Sequence, residues 1–247
     1  MQPPERSYII WFSQRTGSTL LAAALHNTRL EGTRQGGVPG EHLNGQNPAT
    51  FTLSDLHALW QSGTGGGGLF AMKYGPSRNM ADWTEAFRRV LELPQHASAP
   101  EVWNTTFPNC RHVFVTRRNR VRLAVSWWRA IVSGEWHRAL DSESPAPDIA
   151  DRYDFAAIDH LFAESALREA TIEDFFAAAD AVPLTVVYED FIRDYAGTVA
   201  RVLDHLGLER PATLPPPAFG QMADALSEEW AQRFRSERQA GWDNPAW

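Results

Sequence analysis

The sequence predicts an α/β fold, a single domain in which a central parallel sheet is flanked by helices. Four short runs, Tyr8 to Phe12, Leu69 to Met72, Val113 to Val115 and Leu184 to Tyr188, are apolar but for Thr185 and together rich in β-branched and aromatic residues, as buried strands are. Each is followed by a stretch with helical periodicity, and strands alternating with helices build one parallel sheet with helices on both faces. No internal repeat or second domain is visible, and 247 residues suffice for one such domain with a full core.

Composition narrows the function classes. Hydrophobic residues at 43% and charged residues at 21% describe a globular protein. The net charge of -7 argues against general nucleic-acid binding, so an anionic ligand must be held by local basic residues. Cys110 is the sole cysteine, which forbids an internal disulfide and fits a reducing cytoplasm. The Tyr8 to Phe12 run is too short for a signal-peptide core, and no apolar segment reaches spanning length; the expectation is a soluble, cytoplasmic protein without a membrane span. Ten Trp suggest either heavy packing or a cleft lined for stacking on sugars or bases.

The first strand runs into Ser13, Gln14, Arg15, Thr16, Gly17, Ser18 and Thr19, after which Leu20, Leu21, Ala24 and Leu25 continue at helical spacing. A helix start offers unpaired N–H groups and the positive end of its dipole, Gly17 admits a close backbone approach, and Arg15 can form a fork of bonds to phosphate or sulfate. A nucleoside triphosphate loop would read G-x-x-x-x-G-K-[ST]; here the first Gly and the Lys are absent. Q-R-T-G-S-T-L-L after a strand resembles the 5′-phosphosulfate loop of sulfotransferases that use 3′-phosphoadenosine 5′-phosphosulfate (PAPS), specifically the bacterial trehalose 2-sulfotransferase (Stf0-type) family. The resemblance implies the P-loop-like sulfotransferase fold over residues 1–247.

Next comes a Gly-rich loop from Thr33 to Gly40, then Glu41, His42, Leu43 and Asn44. So close after the first strand and helix, this loop is expected near the carboxyl edge of the sheet, where open α/β sheets bind ligands. Glu41 and His42 are both candidate general bases, the plainer alternative being a solvated acid beside a surface His. In the family, a Glu after a Pro-x pair takes the acceptor's proton, and P-G-E-H-L places Glu41 there. His42 is its rival, since imidazole titrates near neutral pH. Phe51 to Trp60 reads as a short helix capped by Thr52 or Ser54, and Gly63 to Gly68 as a flexible connector. Lys73, just past the strand Leu69 to Met72, can place its ammonium in the cleft and offset charge on a leaving group, or lie on the surface. A Lys also follows this strand in the family.

Asp82 to Leu93 has helical periodicity and ends at Pro94. Beyond the strand Val113 to Val115, Thr116 to Asn119 is a turn and Val121 to Val132 a helix with Val121, Ala124, Val125, Trp128 and Ile131 on its inner face. Five Arg lie between Arg117 and Arg129, and such clustering in an acidic protein signals an anion site. A strand ending in Arg, then A-V-S-W, resembles the family's 3′-phosphate element, which implies that Arg117 and Ser126 hold that phosphate. Arg118 stands where the family often has Pro. R-A-I-V-S-G-E-W-H, through Trp136 and His137, continues the likeness.

Asp141 to Ala150 has the composition of a mobile loop, Tyr153 to Ala170 is a helix with Phe155, Ile158, Leu161, Phe162 and Leu167 on its apolar side, and Thr171 is expected to cap a separate helix to about Ala181. Tyr188, Glu189 and Asp190 match a strand-end sequence of the family and are read as structural. Tyr195 to Leu206 is a helix stopped by Gly207, Pro211 to Pro217 an extended connector, and the last helix spans about Ala223 to Arg238. Arg233, Arg235 or Arg238 reaches the 3′-phosphate or forms a solvated basic face.

Together the residues imply in-line sulfuryl transfer from PAPS, without a metal, to a hydroxyl of a sugar-containing or other small-molecule acceptor. Arg15, Thr16, Gly17, Ser18 and Thr19 would hold the 5′-phosphosulfate, and Arg15 and Lys73 the charge on the breaking bond. A homodimer fits the family, although the sequence fixes no oligomeric state. A nucleotide-dependent kinase, recognised by magnesium and ATP dependence, and a non-catalytic binding module for phosphorylated nucleotides or sulfated glycans, recognised by binding without transfer, are the alternatives.

Overall fold

The computed structural model describes residues 2–28, 37–77, 79–139, 148–220 and 222–242. Thr33 to Gly36 and Asp141 to Pro147, parts of the two loops expected above, lie outside the described residues. Among the described residues the sheet has four strands, β1 (Arg6–Phe12), β2 (Leu69–Tyr74), β3 (Cys110–Thr116) and β4 (Leu184–Val187), in the order β2-β1-β3-β4. All neighbours pair in parallel, so every strand points its carboxyl end to one edge.

The continuous apolar runs are explained by burial on both faces. Alternate residues of β1 divide between two cores: Ile9 and Trp11 face one, Tyr8, Ile10 and Phe12 the other. The first core is closed by α2 (Leu53–Gly63), α3 (Met80–Val90), α4 (Ala99–Thr106) and the far end of α6 (Phe155–Ala178). The second is closed by α1 (Ser18–Asn27), the short α7 (Tyr188–Arg193) and α8 (Tyr195–Leu206). A third cluster lies between α5 (Arg120–Ser133), α6 and α9 (Ala225–Gln239). Tryptophan serves packing: Trp11, Trp60, Trp83, Trp103, Trp127 and Trp230 are all buried, and Trp11 stacks on Phe175 with ring centroids 4.8 Å apart.

Local chemistry sets the helix ends. Thr52 caps α2 in a reciprocal box with Asp55, and Gly207 ends α8 with φ +66°, a conformation that favours glycine. Four expectations are corrected. The helix ending at Ala170 and the one capped by Thr171 are a single helix, α6; Thr171 Oγ1 donates to Leu167 O at 2.9 Å, back into its own helix, while Ile172, Phe175 and Phe176 extend the buried stripe. Leu167 is 62% exposed and is not part of that stripe. The fully buried face of α5 is Leu123, Ala124, Val125, Trp127 and Ala130, with the expected Val121 and Trp128 half-buried against the same cluster and Ile131 outside, because α6 and α9 both pack on it and turn the stripe. Lys73 is not past its strand but inside it, 7% exposed, since β2 continues to Tyr74. Helix α4, capped by Ser98 with Glu101, was not foreseen.

No helix among the described residues is long and apolar enough to cross a membrane.

Candidate active site

The loop between β1 and α1 turns through two left-handed residues, Arg15 (φ +64°) and Gly17 (φ +90°). Gly17 is the N-cap of α1; no side chain caps the helix there and no acidic residue lies in its first turn, so the positive end of its dipole faces the loop uncompensated. A Cβ on Gly17 would stand 2.8 Å from Tyr188 Cδ2, which demands glycine on contact as well as on φ. Thr16 Oγ1 donates to Ser13 O at 2.8 Å, so this hydroxyl braces the loop rather than facing a ligand.

Lys73 enters this site from β2. Its ammonium donates to Thr19 Oγ1 at 2.9 Å, lies 2.9 Å from Glu41 Oε1 and sits 5.1 Å from the centre of the Phe12 ring. Glu41 reaches it because residues 37–40 run beside β2: Gly37 N donates to Leu69 O at 2.9 Å, Lys73 N donates to Gly40 O at 2.8 Å, and Gly40 bridges Met72 in parallel. There is no room at Gly37 for a side chain, whose Cβ would come 1.6 Å from Gly63 O. His42 turns the other way. Its Nε2 faces Val38 O at 3.2 Å and its Nδ1 faces Ser62 Oγ at 3.4 Å, so both ring nitrogens are engaged on the α2 side.

The second element arrives from β3 and α5. Arg15 Nε donates to Ser126 Oγ at 3.0 Å, its Nη1 to the carbonyl of Trp136, and Arg117 Nη1 donates to Arg15 O at 3.3 Å. Arg117 lies over the Tyr188 ring, 4.6 Å from its centre, and its buried Nε has no hydrogen-bond partner. Burial lowers the pKa of both guanidinium groups, and for Arg15 the charge of Arg117 adds to it, yet arginine stays charged at any physiological pH. Glu189, 3.8 Å from Arg117 Nε, is the nearby carboxylate, and it is shared with the backbone N–H groups of Arg118 and Asn119 at 3.0 and 3.1 Å. The remaining arginines of the cluster are neutralised in place: Arg118 by Asp190, Arg120 by Glu169, Arg122 by Glu228 and Arg129 by Asp224. The cluster thus reduces to Arg117 as its cation aimed at the loop.

The family model described as Stf0 sulphotransferase matches residues 46–237. The chain belongs to that family. Two curated relatives are the trehalose 2-sulfotransferases of Mycolicibacterium smegmatis, 30% identical over 127 residues, and of Mycobacterium tuberculosis, 32% identical over 125 residues. Each match covers 51% of this chain and 46% or 45% of the relative, so the chain spans about half the length of the curated relatives it matches. Among solved structures, a sulfotransferase domain from the curacin biosynthetic pathway superposes with a TM-score of 0.48 at 14% identity, over 92% of this chain and 83% of that one. The sulfotransferase domain of the Synechococcus PCC 7002 olefin synthase does so with a TM-score of 0.47 at 17% identity, over 96% and 89%.

Lys73, Arg117 and Ser126 fall inside the stretch matched by the Stf0 family model, whereas Arg15 to Thr19 and Glu41 precede it. The structure gathers Arg15, Thr19, Glu41, Lys73, Arg117 and Ser126 at one edge of the sheet and leaves the His42 ring on its flank. Of the C-terminal arginines, Arg235 comes to 3.5 Å from Asn119 Oδ1, in the turn before α5, while Arg233 pairs with Glu237 and Arg238 with Asp159. Two residues at the site were given no role from the sequence. Glu169 of α6 is buried beneath both loops. His137 follows Trp136, stacks on Phe219 with centroids 5.3 Å apart, and has its pKa lowered by burial and then by Arg15 and Lys73, against the pull of Glu41. Its place at the end of the S-G-E-W-H run was the available signal.

Proposed function

We propose that this chain is a PAPS-dependent sulfotransferase domain that moves a sulfuryl group onto a hydroxyl of a carbohydrate or glycosylated small molecule. The observation that carries the reading is the meeting of Arg15, Ser126 and Arg117: two loops far apart in sequence bring two half-buried guanidinium groups together, one with an Nε that makes no hydrogen bond and only a 3.8 Å ion pair to Glu189, beside an uncapped helix start. Such a cradle fits a ligand with two separate anionic groups, as a 3′,5′-bisphosphorylated nucleotide has. When bound, PAPS supplies the activated sulfuryl group.

The residues of the chain do the rest. Arg117 and Ser126 hold the 3′-phosphate, and the α1 start with Gly17, Ser18 and Thr19 receives the 5′ end by backbone N–H groups. Glu41 takes the proton of the acceptor hydroxyl as general base. Its support is the strand-like pairing of residues 37–40 with β2, which fixes it beside Lys73. Lys73 and Arg15 place positive charge where the bridging oxygen becomes anionic. A sugar acceptor is the substrate class suggested by relatives named trehalose 2-sulfotransferase, and the residues offer no reason to name one sugar.

Calorimetric titration with 3′-phosphoadenosine 5′-phosphate (PAP), with ATP and adenosine 5′-phosphosulfate as controls, tests the reading. PAP is expected to bind most tightly, and Arg117→Ala to weaken it at least about 30-fold, the loss of a buried charged partner. A preference for ATP, or indifference to Arg117→Ala, overturns it.

A further inference from the structure

We infer that Glu169 is a positioning residue of the donor site: one buried carboxylate of α6 holds the ends of β1 and β3 where the chain departs toward Arg15 and Arg117. The inference rests on the reading above that these two arginines hold the donor. Glu169 is 2% exposed, and donors from three other segments occupy its oxygens. Oε1 accepts from Ser13 Oγ at 3.2 Å; Oε2 accepts from Thr116 Oγ1 at 2.8 Å and from Arg120 Nη2. Ser13 directly follows β1, and Thr116 is the last residue of β3, immediately before Arg117.

The pair with Arg120 alone would compensate the buried charge. The two hydroxyl bonds do something different, because they tie two loops that belong to different strands to one rigid point. The preceding residue of α6 extends the grip: Arg168 Nη1 donates to Gln14 Oε1 at 2.6 Å while its Nε is held by Glu164 at 2.8 Å. Ser13 and Gln14 are therefore both anchored by α6 directly before Arg15, which is left-handed although it is not glycine. A residue stays in that region when its surroundings over-determine it. The Glu169 and Arg168 contacts, with the bond from Arg117 to Arg15 O, are those surroundings.

Ser13→Ala and Thr116→Val each cut one hydroxyl link while leaving the Glu169 and Arg120 pair intact, and Glu169→Gln keeps the volume but removes the charge. PAP affinity, measured by titration on folded protein with the binding stoichiometry as control, is expected to fall about three- to tenfold in each single hydroxyl variant. The double variant is expected to be hardly weaker than the worse single, because one cut already uncouples the loops. In turnover assays the KM for PAPS rises with affinity while kcat at saturating PAPS stays within about twofold. A purely structural role would lower the melting temperature and the bound fraction without moving Kd. Wild type that binds PAP, with variants of unchanged Kd or with losses that multiply in the double variant, overturns the inference alone. Wild type that binds no PAP overturns the donor reading, and this inference with it.

Discussion

Gly17→Ala probes the proposed donor loop, between β1 and α1, at its tightest point. Two penalties can be worked from the structure. An alanine at φ +90° enters a region unfavourable for L-residues, at about 1–2 kcal/mol. The new Cβ would also stand 2.8 Å from Tyr188 Cδ2 and 3.4 Å from Cε2, and overpacking of this kind costs about 1–3 kcal/mol. With a combined loss near 3 kcal/mol, a chain of this size should melt about 6–12 °C lower. The displaced ring is the one beneath Arg117, so PAP affinity should fall with stability, by about tenfold. Thermal melts and titrations on Gly17→Ala, Tyr188→Ala and the double variant separate the two penalties. In the Tyr188→Ala background the clash is gone, and Gly17→Ala should cost only the backbone part. An additive cycle, in which Gly17→Ala is equally harmful with and without the ring, would refute the claim that Tyr188 sets the space at Gly17.

Two further outcomes are expected. Glu41→Gln should lower sulfuryl transfer about 10²- to 10⁴-fold with PAP affinity unchanged, while His42→Asn, altering a ring turned toward Val38 and Ser62, stays near wild type; the reverse pattern in a transfer assay would move the base to His42. His112, which accepts the Trp11 Nε1 hydrogen at 3.0 Å, has its pKa pushed down to about 4 by burial and then by His205, against an ordinary 6.5. The unfolded chain takes the proton first, so this contribution is complete above about pH 6.5 and is lost as the pH falls toward 4. Urea titrations should show about 2 kcal/mol less stability at pH 5 than at pH 7.5, and His112→Gln, whose amide oxygen still accepts from Trp11, should flatten that difference.

The elements most legible in the sequence were those whose pattern and punctuation agreed. Tyr8 to Phe12 is apolar without interruption because both faces of β1 are buried, and Gly17 and Gly207 mark turns whose positive φ favours glycine, Gly17 being held to it by the Tyr188 ring as well. Thr171 misled because a Thr followed by an acid looks like a cap, whereas buried Ile172, Phe175 and Phe176 made it more favourable to continue α6. At the site, Arg15, Ser126 and Arg117 were readable from two motifs, but their direct contact was not, since motif spacing carries no distance. The five-arginine cluster overstated the available charge because its neutralising carboxylates, Glu169, Asp190, Asp224 and Glu228, come from helices remote in sequence. Lys73 was expected just past its strand; it projects instead from within β2, held by Thr19 and Glu41.

The short run that carries Glu41 also has a bearing on how the chain keeps its own company. Strand β2 is the last of the four on its side of the sheet, and residues 37–40 occupy part of its outward row of backbone groups, at Leu69 O, Met72 and Lys73 N, while Thr64 bridges Phe70. An uncovered border of this kind is a template on which a foreign strand can grow. The proposed base is thus mounted on the piece of chain that closes that border, and a change that detaches residues 37–40 from β2 would both displace Glu41 and open the sheet to unwanted self-association.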